Sequence, residues 1–137
     1  MQPEDQLRCE RECTRLCYDF AFTVDHMDYD AFVALFAADG VFDRAGLRSA
    51  GHEAIRNFLN ARPTGRVTRH LISNVRINMT SATSATGTCS ALMYAAAGTA
   101  TPLPVTPPLV VDYTDDYVLT ADGWKIKLRQ TGIVFQP

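Results

Sequence analysis

Apolar positions recur with helical spacing through the first part of the chain and with a period of two in its second half. Over residues 5–24, Leu16, Phe20 and Val24 share one helical stripe, with Tyr18, Ala21, Phe22 and Asp25 on the adjoining one. Glu4 and Asp5 open this segment, and acidic side chains suit a helix N-terminus, where unpaired N–H groups carry partial positive charge. Asp28 is placed to cap a second, short helix over residues 29–36 whose buried face is Phe32, Leu35 and Phe36. Asp39-Gly40 turns the chain into a short strand at 41–44, which Gly46 ends. Residues 51–61 return to helical spacing through Ile55, Phe58 and Leu59, and Pro63 and Gly65 stop that helix.

From Arg66 the period changes. Residues 67–79 alternate and are rich in β-branched side chains: Val67, Thr68, Ile72, Val75 and Ile77. A Ser/Thr-rich turn at 80–84 leads to a second strand, about 85–97. Pro102, Pro104, Pro107 and Pro108 make 98–108 an irregular loop, long enough to serve as a lid or contact segment. A strand at 110–120, a hairpin turn at Ala121-Asp122-Gly123 and a strand at 124–135 complete the chain. Helices first and hairpin-linked strands after predict an α+β fold in one domain over 1–137. Its form is a cone-like curved antiparallel sheet, with three N-terminal helices enclosing a pocket.

Composition narrows the function. The formal net charge of −2 is opposite to the basic balance of nucleic-acid-binding domains. No apolar run approaches the roughly 20 residues of a membrane span, and the charged residues 1–12 lack the apolar core of a signal peptide, so a cytoplasmic location is expected. Cys9, Cys13 and Cys17 recur every four residues along one helical stripe, a poor geometry for disulfides among them, and Cys89 stands alone. With no C-x-x-C, H-x-H or H-x-x-x-H spacing, neither a metal nor a cofactor is expected, and the cysteines read as small buried residues of a reduced protein.

His70 is the histidine that falls within an alternating run. Thr68, Ile72 and Asn74 share its side of the strand, a mixed face suited to a pocket with a few placed polar groups. Asp25 ends the first helical pattern. A carboxylate beside an imidazole fixes its tautomer and favours its charged form, which makes a general acid/base pair that works near neutral pH. Tyr18 lies seven residues before Asp25 on the same helical face and could contact a substrate oxygen, as could Asn74. On the strand 110–119, Val111, Tyr113, Asp115, Tyr117 and Leu119 alternate with a more polar set. If that aromatic face is buried, Asp115 either sits unpaired among apolar groups, where it could meet a substrate, or pairs with Arg69 or Arg129 across the sheet. His26 and His52 are expected at the surface.

Four stretches resemble the SnoaL-like family of the nuclear-transport-factor-2-like superfamily. They are Asp28–Phe42 (the D-x-D-x-x-x-x-L-F-A-x-D pattern), Gly51–Phe58 (G-x-x-A-I-x-x-F), Thr68–Val75 around Arg69-His70, and Tyr113–Tyr117 with Gly123–Ile126. The resemblance implies the α+β cone. Through the arginine–histidine motif it also implies the subset with a cavity histidine, which includes scytalone dehydratase and the bile-acid 7α-dehydratase. There an aspartate after the first helix and a histidine on the first long strand fall on Asp25 and His70. This chain departs from those relatives at Ala95-Ala96-Ala97, where a second cavity histidine would stand, and at Phe20, which takes the place of a first-helix tyrosine. The implied function is a cofactor-independent lyase or isomerase, dehydratase-like, acting on a small hydrophobic or aromatic carbonyl compound. His70 and Asp25 would be catalytic, and Tyr18, Asn74 and Asp115 would contact substrate. The alternatives are a non-catalytic ligand-binding or interaction module of the same fold and an epoxide-type hydrolase. Relatives of this shape assemble, so a homodimer or homotrimer is expected.

Overall fold

The first helix, α1 (Pro3–Asp25), starts as its sequence dictates, with Pro in the first turn followed by Glu4 and Asp5. Its buried stripe runs Cys9, Cys13, Leu16, Cys17, Phe20 and Val24, so the cysteine repeat faces the core. Helix α2 (Tyr29–Ala34) is capped by Asp28, whose carboxylate accepts from the Ala31 N–H at 3.3 Å. A computed structural model describes all residues, 1–137, and no helix in it is long and apolar enough to cross a membrane.

Helix α2 ends earlier than its apolar spacing predicts. The Ile126 N–H donates to the Leu35 carbonyl at 2.9 Å, and this capture by the sheet makes Phe36 the first residue of strand β1 (Phe36–Arg44). Gly40 lies within β1 at a register shift, where a Cβ would stand 2.8 Å from the Ile126 carbonyl oxygen; only glycine permits that approach. Ala45 and Gly46, both at positive φ, then turn the chain into β2 (Leu47–Ala50), a short edge strand that carries no alternation by which its sequence could announce it. Helix α3 (His52–Asn60) follows, and then β3 (Arg66–Ser81), β4 (Ser84–Ala97), β5 (Leu109–Thr120) and β6 (Gly123–Phe135).

The strands form one sheet in the order β2-β1-β6-β5-β4-β3. The hairpin-linked pairs are antiparallel as expected, whereas β1 runs parallel to β6, so the sheet is mixed. No hairpin fixes the direction of that pair, because α3 and four strands separate the two in sequence. The sheet is not closed, and α1 packs against it. Phe20 is central to the core. Its ring lies 4.9 Å from that of Phe32 and 5.4 Å from those of Phe42 and Tyr113, in the tilted and edge-on geometries aromatic rings prefer.

Strand β3 departs from strict alternation. Thr68, His70 and Ile72 turn inward, but the pairing with β4 shifts between Ser73 and Arg76, and Asn74 adopts φ +57°. Beyond this bulge Val75, Ile77 and Met79 carry the inward positions. The loop 98–108 packs against the end of the β3–β4 hairpin, where the Thr106 hydroxyl donates to the Ala95 carbonyl at 3.1 Å. It closes over a side pocket at Val67, Arg69 and Tyr94, away from the main cavity.

Candidate active site

The end of α1 and the start of β3 bring Asp25 and His70 together. One Asp25 oxygen meets His70 Nδ1 at 2.6 Å, and the other accepts the His70 backbone N–H at 2.8 Å. The Thr68 hydroxyl, two residues earlier on the same inward face, donates to Asp25 at 2.8 Å. Arg62, just after α3, donates to the Thr68 oxygen at 3.3 Å, to the Tyr29 hydroxyl at 3.0 Å and to the Val24 carbonyl at 3.3 Å. The carboxylate is thus held by both the ring and the backbone of His70, and Thr68 and Arg62 brace it from behind. The two side chains are 5% and 10% exposed, so the contact is shielded from solvent screening.

Burial alone would raise the Asp25 carboxyl. The hydrogen bonds from the His70 ring and backbone, the imidazole charge and the Thr68 hydroxyl outweigh it and hold the group below its ordinary range. A folded-state value below the unfolded one, about 3.9, adds stability that is present above that value. It is lost as pH falls through the lower folded value. Asp25→Asn is therefore expected to be less stable than the parent at neutral pH, with the gap in thermal midpoint narrowing on acidification below about pH 4. Circular dichroism melts from pH 7 to 3 check this, and a gap that stays constant with pH would refute it.

His70 also lines a cavity of about 560 Å³, and its Nε2 makes no hydrogen bond within the protein. The wall is mainly apolar and aromatic, from Phe20, Phe32, Phe42, Phe58 and Tyr113. This arrangement can accept a proton at Nε2 while Asp25 holds Nδ1, in a setting from which most water is displaced by a ligand.

The other expected contacts lie elsewhere. Tyr18 is 48% exposed, in an outer groove beside α1 that touches Asp25 and His70 from outside the cavity. Asn74 is exposed at the β3 bulge, because the inserted residue ends the alternation that would have placed it with His70. Asp115 faces inward beneath the cavity floor and does not line the cavity. Its two oxygens accept from Arg129 Nε and Nη2, each at 2.8 Å, and the Tyr117 hydroxyl donates to it at 2.7 Å. Both members of this ion pair are fully buried. Burial pulls the Arg129 guanidinium down, but the Asp115 charge and hydrogen bonds raise it well above the ordinary arginine range. The guanidinium carbon sits 4.4 Å from the Phe20 ring centre and 4.2 Å from that of Tyr113, a cation between two aromatic faces.

Cys9 and Cys13 behave as small core residues. Cys17 does not, since Arg129 Nη2 donates to its sulfur at 3.2 Å and its sulfur also contacts the Tyr117 hydroxyl at 3.2 Å. The hydrogen bond with Cys89, reinforced by Arg129 and opposed by burial, lowers the Cys17 thiol to about 6. Cys17, Cys89 and Asp115 are close enough to share an ion. Arg129 already supplies positive charge to that cluster, and the donor set does not invite a metal cation beside it.

Sequence reasoning missed Thr68, Arg62 and Tyr113 as site residues. Parity places Thr68 on the same face as His70, but its role depends on the contact with Asp25, 43 residues away in sequence. Tyr113 could have been found from the position of β5, whose inward residues Val111 and Tyr113 reach the cavity while Asp115 and Tyr117 lie at its sealed end. Arg62 carried no periodic signal.

The sequence profile of the SnoaL-like domain matches residues 5–130. The chain belongs to the SnoaL-like family. Among solved structures, this SnoaL-like chain resembles a scytalone dehydratase-like protein from Novosphingobium aromaticivorans, with a TM-score of 0.85 and 23% identity over 98% of this chain and 89% of that one. It also resembles the hexachlorocyclohexane dehydrochlorinase LinA-type3 from Novosphingobium barchaimii, with a TM-score of 0.83 and 18% identity over 98% and 92% of the two chains. A third likeness is to ActVI-ORFA from Streptomyces coelicolor, with a TM-score of 0.75 and 18% identity over 90% and 96%. These likenesses show that the SnoaL-like chain shares the fold of these three proteins. No curated protein matches it in sequence.

Proposed function

We propose that the protein is a cofactor-independent lyase or isomerase that moves a proton next to the carbonyl of a small hydrophobic or aromatic compound. His70 is the general acid/base, and Asp25 is the positioning residue that fixes its ring. The observation that carries this reading is the 2.6 Å contact at Nδ1, which leaves Nε2 free on the wall of an apolar cavity. With Nδ1–H committed to Asp25, the neutral ring presents Nε2 as the base. Nε2 takes the proton from the carbon, and the electron pair moves onto the carbonyl oxygen. The imidazolium formed is stabilised by Asp25. In a dehydration the enolate pair re-forms the carbonyl and breaks the C–O bond of a β-hydroxyl, which takes the proton and leaves as water; in an isomerisation the proton goes to another carbon. The Tyr113 hydroxyl lines the same cavity without a partner in the protein and is placed to donate to an enolate oxygen, a role the sequence reading gave to Tyr18, Asn74 and Asp115.

The names of two structural neighbours, a scytalone dehydratase-like protein and a hexachlorocyclohexane dehydrochlorinase, are those of eliminating enzymes and support the same class of chemistry. Assembly as a homodimer or homotrimer remains part of the proposal, and the exposed apolar side chains Leu71, Val134 and Phe135 would be covered by it.

The reaction is tested with 2-tetralone, a bicyclic ketone with acidic hydrogens beside its carbonyl. In D₂O the protein is expected to accelerate loss of those proton signals in the NMR spectrum beyond buffer containing an equal concentration of imidazole. Exchange no faster than that control would reject the proton-transfer reading.

A further inference from the structure

The charge around the cavity is one-sided. Arg44 at the end of β1, Arg62 after α3 and Arg66 at the start of β3 all line it, and no acidic side chain does. The chain as a whole is net negative, so this concentration of cations is local. The protein does not neutralise it: its ion pairs engage Arg15, Arg48, Arg56, His70 and Arg129 instead. Arg62 spends its donors on Thr68, Tyr29 and Val24. The guanidinium groups of Arg44 and Arg66 form no hydrogen bond with the protein, although Arg44 is steadied by stacking 4.5 Å over the Phe58 ring.

Three like charges held together are mutually unfavourable. Burial, then the charges of Arg66 and Arg62, lower the Arg44 guanidinium below the usual arginine range. Burial and Arg62 do the same to Arg66. An anion entering the cavity would relieve this repulsion and satisfy the idle donor forks, whose planar geometry matches a carboxylate. A buried hydroxyl on the same wall, that of Thr131, also lacks a partner.

Resting on the proton-transfer reading of the His70 site, we infer that the substrate is a carboxylate-bearing aromatic or fused-ring carbonyl compound, with its carboxylate held by Arg44 and Arg66 at the cavity mouth and its acidic carbon at His70. The spacing sets its size. Arg66 and His70 lie four residues apart on the inward face of β3, roughly 13 Å between Cα positions. An arginine side chain and a two-ring body together bridge that span. The aromatic wall between the two ends takes the rings, of neutral compounds as well, Arg62 adds fixed positive charge, and the mouth favours a carboxylate over a neutral group on the same ring system.

Calorimetric titration with 2-naphthoate and its neutral counterpart 2-naphthamide tests this without requiring turnover. The parent protein is expected to bind the carboxylate about 10-fold or more tightly than the amide, the scale of a charge-assisted hydrogen bond, and the preference is expected to weaken with added salt. Arg44→Gln/Arg66→Gln should bring the carboxylate to the level of the amide. His70→Ala should keep the preference. Equal affinities in the parent, a preference that survives the double substitution, or no binding of either probe would each overturn the inference. If 2-tetralone exchange fails while the carboxylate preference holds, the chemistry assigned to His70 falls and the anion site stands.

Discussion

His70→Ala is expected to slow the protein-dependent exchange of 2-tetralone by about 10²–10⁴-fold, the usual contribution of a positioned general base. Among the groups on the cavity wall, His70 alone is an imidazole, and the fold leaves one of its ring nitrogens free. Truncation removes that nitrogen without stripping Asp25 of its support, because the backbone N–H of residue 70 and the Thr68 hydroxyl still donate to the carboxylate. The variant should therefore fold, with a far-UV circular dichroism spectrum like that of the parent. It also leaves a space of imidazole size at the wall, so added imidazole should restore part of the rate. Parent-like exchange in a folded His70→Ala would remove His70 from the chemistry.

Asp115→Asn is expected to destabilise the fold by about 3–5 kcal/mol, the scale of leaving one member of a buried ion pair uncompensated. Asp115 and Arg129 are fully buried, and the carboxylate is the only acidic partner of the guanidinium. The amide keeps the shape and one acceptor oxygen but sets its NH2 against a guanidinium N–H, so the loss combines the missing charge with that donor mismatch. Adding Arg129→Met removes the stranded cation, and the double variant should recover at least half of the loss. Urea denaturation of the parent, Asp115→Asn and the double variant measures all of these. A single variant within 1 kcal/mol of the parent, roughly the worth of a surface pair, would mean that solvent reaches the pair.

These two expectations differ in how far the sequence alone foretells them. The helical stripe through Phe20 and Val24, the alternation around His70 and the Asp122-Gly123 turn are local patterns, and each appears in the structure where the sequence places it. The meeting of Asp25 with His70 links residues 45 apart, and no spacing rule encodes such a contact; it followed from family likeness. Pairing of Asp115 with Arg129 was open as one of two partners, and Arg69 is excluded because its guanidinium turns to the Thr68 carbonyl at 2.7 Å. The parallel pairing of β1 with β6 and the edge strand β2 depend on tertiary capture and carry little local signal. The arginines of the cavity mouth come from β1, the α3–β3 connection and β3, so the meeting of Arg44 with the other two is a property of the folded chain alone.

The bulge at Asn74 divides β3 into two reading frames. In the first half, even-numbered residues face inward and carry the chemistry; in the second, odd-numbered residues face inward and carry packing against the closed end. A single-residue insertion or deletion between Arg66 and Ser73 would re-aim His70 and Thr68 while leaving Val75, Ile77 and Met79 in register. The same change after Asn74 would disturb the packing and spare the imidazole. The site and its foundation can therefore vary independently along one continuous strand, and a single residue in a left-handed conformation separates them.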